Sequence, residues 1–173
     1  AAYQAPRNLV HQGHRRVAII DPPARFLFTR QKLRGYHRAL EEGGITFDPT
    51  LVAELNIGAR WVRDRVLQFL DDKNGPTGFV TSNEVATMGA ISAVRTHSPE
   101  AARDVQFVSR DGTNLFDYFD TPVSSCYFPL LDAGEYLAAS LVKAVEGTPT
   151  ASLQTVERTQ FIERPHRTKG ERI

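Results

Sequence analysis

The run Val17-Ala18-Ile19-Ile20, preceded by His14-Arg15-Arg16 and closed by Asp21-Pro22-Pro23, decides the fold. Four successive apolar residues with charge on one side and prolines on the other read as a strand buried on both faces, as in a parallel sheet covered by helices. The chain then turns helical. Over residues 29–42, Leu33, Tyr36 and Leu40 fall three and four apart, and Gly43-Gly44 supplies a stop. Strand followed by helix makes one βα unit.

The unit recurs downstream. Residues 51–54 predict a strand and 59–71 a helix with Val62, Val66, Phe69 and Leu70 on one stripe. Residues 78–81 predict a third strand, after which Ser82 or Asn83 caps a helix to about Thr96 that turns Met88, Ile91 and Val94 inward. Strands at 105–109 and 124–128, a helix at 131–145 ended by Gly147, and a last strand at 155–163 complete the pattern. Right-handed crossovers between such strands favour a doubly wound, mostly parallel α/β sheet with helices on both faces. Ligands of these sheets bind beyond the carboxyl ends of the strands, among diverging loops and helix N-termini. That rule selects residues 21–28, Asn56-Ile57, Ser82-Asn83, residues 109–111 and Phe128.

Composition bounds the function. A chain of 173 residues suits one globular unit. With 21 Lys+Arg against 20 Asp+Glu, the balance is too even for a surface that binds nucleic acid through phosphates. The single cysteine, Cys126, allows no internal disulfide and fits a reducing cytosol. The lack of a long apolar run or a signal-like N-terminus leads us to expect a soluble, unexported, cytoplasmic protein without a membrane partner.

Several chemistries lack their motifs. There is no G-x-G-x-x-G after a strand, no Gly-rich loop ending in Lys-Ser/Thr and no G-x-S-x-G, so neither a cofactor nor a catalytic activity is expected. His11 and His14 fall at a helix end and in the following turn with no third ligand, and read as surface or capping residues. Cys126 reads as a buried small hydrophobe rather than a nucleophile. Arg15, Arg16 and the arginines of the tail read as solvated clusters. At the strand ends, Asn83 offers a donor and an acceptor and Asp111 a carboxylate, which suits a polyhydroxylated ligand; their local alternatives are a helix cap and a turn residue. Arg30 and Lys32 fall in the first turn of a helix, against its dipole, so a solvated or ligand-facing position must offset that cost. Phe26 and Phe28 lie just before that helix, where an aromatic stacks on the apolar face of a ring or closes the core.

Gly13-His14-Arg15-Arg16-Val17-Ala18-Ile19-Ile20 followed by Leu33-Arg34-Gly35-Tyr36 resembles the LacI/GalR family of bacterial transcription regulators. Pro76-Thr77-Gly78-Phe79-Val80-Thr81-Ser82-Asn83 with Met88-Gly89-Ala90, then Asp104 to Asp111, and Thr121-Pro122-Val123-Ser124-Ser125 with Gly134 and Gly147, continue the likeness in order. The resemblance implies the C-terminal lobe, residues 1–163, of a two-lobed effector domain of the periplasmic-binding-protein-like type I fold, with residues 123–147 crossing towards an absent N-terminal lobe and short of part of their packing. Residues 164–173 are expected to be a disordered tail. The implied function is effector sensing and homodimerisation, with DNA bound only through an absent helix-turn-helix headpiece; a solute-binding receptor of a sugar transport system is the alternative. The expected ligand-binding residues are Phe28, Lys32, Ile57, Asn83, Arg110, Asp111 and Phe128, of which the resemblance supplies Lys32, Ile57, Asn83, Asp111 and Phe128. Lys32 stands where the family has a cleft arginine, Ile57 where it has an aromatic platform and Phe128 where it has a polar residue; Asn83 and Asp111 match outright. If Lys32 and Arg110 both face the cleft, the sugar-like effector is expected to be an acid or a phosphate.

Overall fold

The computed structural model describes residues 1–98, 104–112 and 114–164, the side chain of Asp111 excepted. Its elements are α1 (Gln4–His11), β1 (Val17–Asp21), α2 (Leu27–Glu42), β2 (Val52–Glu54), α3 (Ala59–Asp71), β3 (Gly78–Thr81), α4 (Glu84–His97), β4 (Gln106–Asp111), β5 (Val123–Tyr127), α5 (Leu130–Val145) and β6 (Gln160–Ile162), with short 3-10 turns at Pro49–Leu51, Leu115–Tyr118 and Thr150–Leu153. They form one six-stranded sheet in the order β2-β1-β3-β4-β5-β6. β1 to β5 run parallel, and β6 returns antiparallel to β5.

Alternation along β1 divides the core. Ala18 and Ile20 face a cluster with Val62, Val66 and Phe69 of α3, Ala90 and Val94 of α4, and Phe79 and Phe107. Val17 and Ile19 face a second cluster with Leu9 and Val10 of α1, Tyr36 and Leu40 of α2, and Cys126. Every residue of β1 is buried, as its apolar run predicts. Tyr36 brings its one polar atom into this core by donating from its hydroxyl to the Val17 carbonyl at 2.7 Å.

Two glycines of the family-like motifs have steric reasons. A Cβ on Gly35 would stand 2.7 Å from the Ala2 backbone where α2 passes the start of the chain, and one on Gly89 would stand 2.2 Å from the Ala59 carbonyl oxygen where α4 crosses α3.

The structure corrects several expectations. Met88 is not inward but exposed, because the buried stripe of α4 is set by Ala86, Ala90, Ile91, Ala93 and Val94, which rotates Met88 to the flank. β5 does not lack packing: Val123 to Cys126 are buried, and the strand is paired on both sides. The last strand is only Gln160–Ile162. Arg16 is not simply solvated, since it pairs with Asp48 at 3.1 Å. Arg164 is tied down by hydrogen bonds to Val123 O and Ser125 Oγ, each at 3.0 Å, and by an ion pair with Asp117. The rest of the expected tail, residues 165–173, lies outside the described residues.

α5 stands apart from the layers. None of its residues is buried, and Leu130, Leu131, Tyr136, Leu137, Leu141, Val142 and Val145 are exposed along it. No described helix is long and apolar enough to cross a membrane.

Candidate functional site

The loops leaving β1, β3 and β4 open a recess of about 330 Å³ lined by Pro22, Phe28, Lys32, Ile57, Ser82, Asn83, Glu84, Arg110, Phe128 and Leu130. Six of the seven sequence-derived site residues, Phe28, Lys32, Ile57, Asn83, Arg110 and Phe128, are therefore brought together. The seventh, Asp111, ends β4, and its side chain lies outside the described residues. A larger cavity of about 620 Å³ adjoins on the α1–α2 side of the sheet; it shares Phe28, Lys32 and Arg110 and adds Asp21, Cys126 and residues 157–159.

Local structure explains each position. Asn83 has extended backbone and caps α4, its Oδ1 accepting from the Ala86 N–H at 2.9 Å. The cap and recess roles coexist because the side-chain NH₂ is not spent on that bond. Glu84 reaches across to accept from the Gly112 N–H at 2.9 Å, so β3 and β4 are tied together at their carboxyl ends. Beneath them Thr87 Oγ1 lies 2.6 Å from Thr81 Oγ1 and 2.7 Å from Ser109 Oγ, a hydroxyl cluster that pins α4 to both strands. Ser82, at 8% exposure, is buried at the recess, and its Oγ has no hydrogen-bond partner.

The cations are disposed unequally. α2 begins at Leu27, earlier than the sequence predicts, so Phe28 lies inside the helix and Lys32 in its second turn. Phe28 stacks on Phe26 at 5.5 Å, and Lys32 Nζ lies 5.8 Å from the Phe28 ring centroid. Lys32 forms an ion pair with Asp21, the last residue of β1, and this internal partner offsets the helix-dipole cost. Arg30 is satisfied by the Ala24 and Arg25 carbonyls at 3.1 and 3.2 Å. Arg110 instead lays its guanidinium 4.2 Å from the Phe128 ring centroid.

Asp21 falls within the strand-end residues that the sequence selects but was not among the expected ligand-binding residues. It is 3% exposed, and burial pushes its carboxyl above the ordinary range, with Lys32 pulling the other way. The signal in the sequence was a charged residue closing an apolar strand two positions after Ile19, on the same sheet face. Ile57 is half-buried and packs against the α3–α4 cluster, so it offers no ring platform. Cys126 is buried, and burial pushes its thiol up, which suits a core residue. Among the described residues no group of three or more His, Cys, Asp or Glu is placed to hold a metal ion.

A parallel sheet with polar and aromatic side chains gathered at its carboxyl edge is an α/β domain whose candidate site lies where such sheets receive ligands. The model of the periplasmic binding protein-like domain matches residues 7–165, so the chain belongs to that family. It is homologous to LacI-family transcriptional repressors. The HTH-type transcriptional repressor CytR of Escherichia coli (strain K12) is 26% identical over 152 residues, 88% of this chain and 45% of the repressor. The HTH-type transcriptional repressor PurR of Aliivibrio fischeri (strain ATCC 700601 / ES114) is 24% identical over 147 residues, 83% of this chain and 43% of that protein. The transcription regulator CcpA of Lactococcus lactis superposes with a TM-score of 0.86 at 25% identity, covering 97% of this chain and 61% of that one. A LacI-family regulatory protein from Chloroflexus aggregans shares the fold with a TM-score of 0.83 at 24% identity, covering 96% and 60%. The chain thus spans less than half the length of these curated relatives.

Proposed function

We propose that this chain is the C-terminal lobe of the effector domain of a bacterial, cytoplasmic, LacI-type transcriptional regulator, without catalytic activity. The observation that carries the reading is α5. It leaves the sheet at the rim of the recess, where Leu130 is both a lining residue and the start of the helix, and projects with an apolar face left largely exposed by the described residues. A second lobe seated on that face would also close over the recess, and ligand binding between the two would then bias their closure. The similar proteins CytR and PurR are HTH-type transcriptional repressors, which favours a regulator over a transport receptor.

Asn83 in the recess and Asp111 at the end of β4 hold hydroxyl or amide groups of a sugar-like metabolite, and Phe28 covers an apolar face of it. The regulator is a homodimer. Its C-lobe face is the flank of α4, where Val85 and Met88 are exposed, together with Tyr118, 85% exposed.

The test uses the intact regulator. Asn83→Ala and Asp111→Ala are expected to abolish effector-dependent change in operator binding while leaving operator affinity in the absence of effector unaltered. An unchanged effector response in both variants refutes the assignment.

A further inference from the structure

Ser82, Asn83 and Arg110 each bring an unspent donor to the recess. Asn83 Oδ1 is committed to the helix cap, Glu84 Oε1 to the Gly112 N–H, and Asp21 Oδ1 to Lys32. Lys32 is in turn committed to Asp21. What the protein does not use are the Ser82 hydroxyl, the Asn83 NH₂ and the Arg110 guanidinium, which has no ion-pair partner among the described residues. These three lie side by side by construction: β3 and β4 are parallel with Thr81 opposite Ser109, so Ser82-Asn83 and Arg110 emerge as neighbours at the strand ends.

We propose, on the reading that this recess is the effector site, that its ligand carries one carboxylate, received by Arg110 with Ser82 and Asn83, while Asp21 withholds Lys32 from it. Three convergent donors match a carboxylate's two acceptor oxygens, and a guanidinium is the donor best shaped for them. A buried hydroxyl without a partner costs stability, and a ligand oxygen would satisfy it. The internal Asp21–Lys32 pair decides how much charge the site accepts. Of the charged residues lining the recess, Lys32 is paired with Asp21 behind it and Arg110 stands with Glu84, so a second negative charge on the ligand meets no further unpaired cation among the described residues. The body of the ligand lies between Phe28, Ile57 and Phe128 and is in part apolar. Asp21 is thus a specificity-determining residue that acts through Lys32 rather than by touching the ligand.

The experiment is an amide and arginine side-chain NMR titration of the full chain with sodium acetate at constant ionic strength, run beside glucose and inorganic phosphate. Acetate is expected to shift the Ser82, Asn83 and Arg110 signals saturably. Arg110→Met, an exposed position, weakens that binding about tenfold or more. Ser82→Ala weakens it without lowering the melting temperature, an outcome that a purely structural serine would not give. Lys32→Met leaves acetate affinity within about twofold, and Asp21→Asn, which frees Lys32, raises phosphate affinity about tenfold. Saturable acetate shifts that are indifferent to Arg110→Met overturn the proposal. Glucose shifting these signals while acetate does not removes the charge assignment and leaves the effector-site reading standing; silence towards all three probes removes both.

Discussion

Asp21 shows how a single position acquires a role from its surroundings. The sequence presents it as a turn residue after a strand, whereas the fold buries it beside Lys32 at the edge of the cleft. Its carboxyl titrates above the ordinary range chiefly because burial disfavours the anion. The folded chain therefore binds the Asp21 proton more tightly than the unfolded chain does, so this contribution to stability is full below the unfolded pKa and is lost as pH rises through the elevated one. Urea unfolding from pH 4 towards neutrality is expected to show the native chain losing stability relative to Asp21→Asn over that interval; parallel curves would contradict the burial argument. Tyr36 supplies a second residue-scale test. Tyr36→Phe removes the donor to the Val17 carbonyl inside the core and should cost about 1–3 kcal/mol by equilibrium unfolding.

At the scale of elements, the close crossing of α3 and α4 rests on a missing side chain. Gly89→Ala places a methyl group against the Ala59 carbonyl, which is backbone and cannot step aside, so the helices must separate. The expected penalty is about 1–3 kcal/mol, measured as a lower denaturant midpoint with unchanged slope. That separation would also disturb the Thr81–Thr87–Ser109 hydroxyl cluster under the recess, linking helix packing to site geometry. Helices and strands were legible because apolar spacing reports burial: β3 and α3 have the bounds that periodicity predicts. Met88 was misplaced for the same reason, since a large apolar residue at helical spacing reads as core even where small residues make the contact.

For the whole molecule, α5 separates the stability of the sheet from the assembly of the protein. Leu137→Asp and Leu141→Asp alter positions that are largely exposed among the described residues, so the unfolding free energy of this chain should change by no more than about 0.5 kcal/mol. The same substitutions in the intact regulator should lower stability markedly, because there the helix is covered. Equal effects in the two contexts would remove the second-lobe argument. Self-association gives the other molecular test: Tyr118→Asp on the α4 flank should shift sedimentation of the intact regulator towards monomer, and an undiminished dimer would place the interface elsewhere.

The succession of strands and helices, the mostly parallel sheet and the set of loops that meet at the carboxyl edge could be derived from the sequence alone, because each depends on local periodicity and on the handedness of βα crossovers; the order of the strands in the sheet could not. Position at the strand ends also sufficed to expect Asn83 and Arg110 at one recess, since such positions in a parallel sheet converge there. Only the tertiary structure decided which of those groups are already occupied. Lys32 and Arg110 are alike in sequence, as cations near strand ends, but Asp21 lies on the sheet face under α2 and claims the lysine, whereas the arginine is left over an aromatic ring. Pairing of that kind joins residues distant along the chain through the packing of helix on sheet, and no local pattern encodes it.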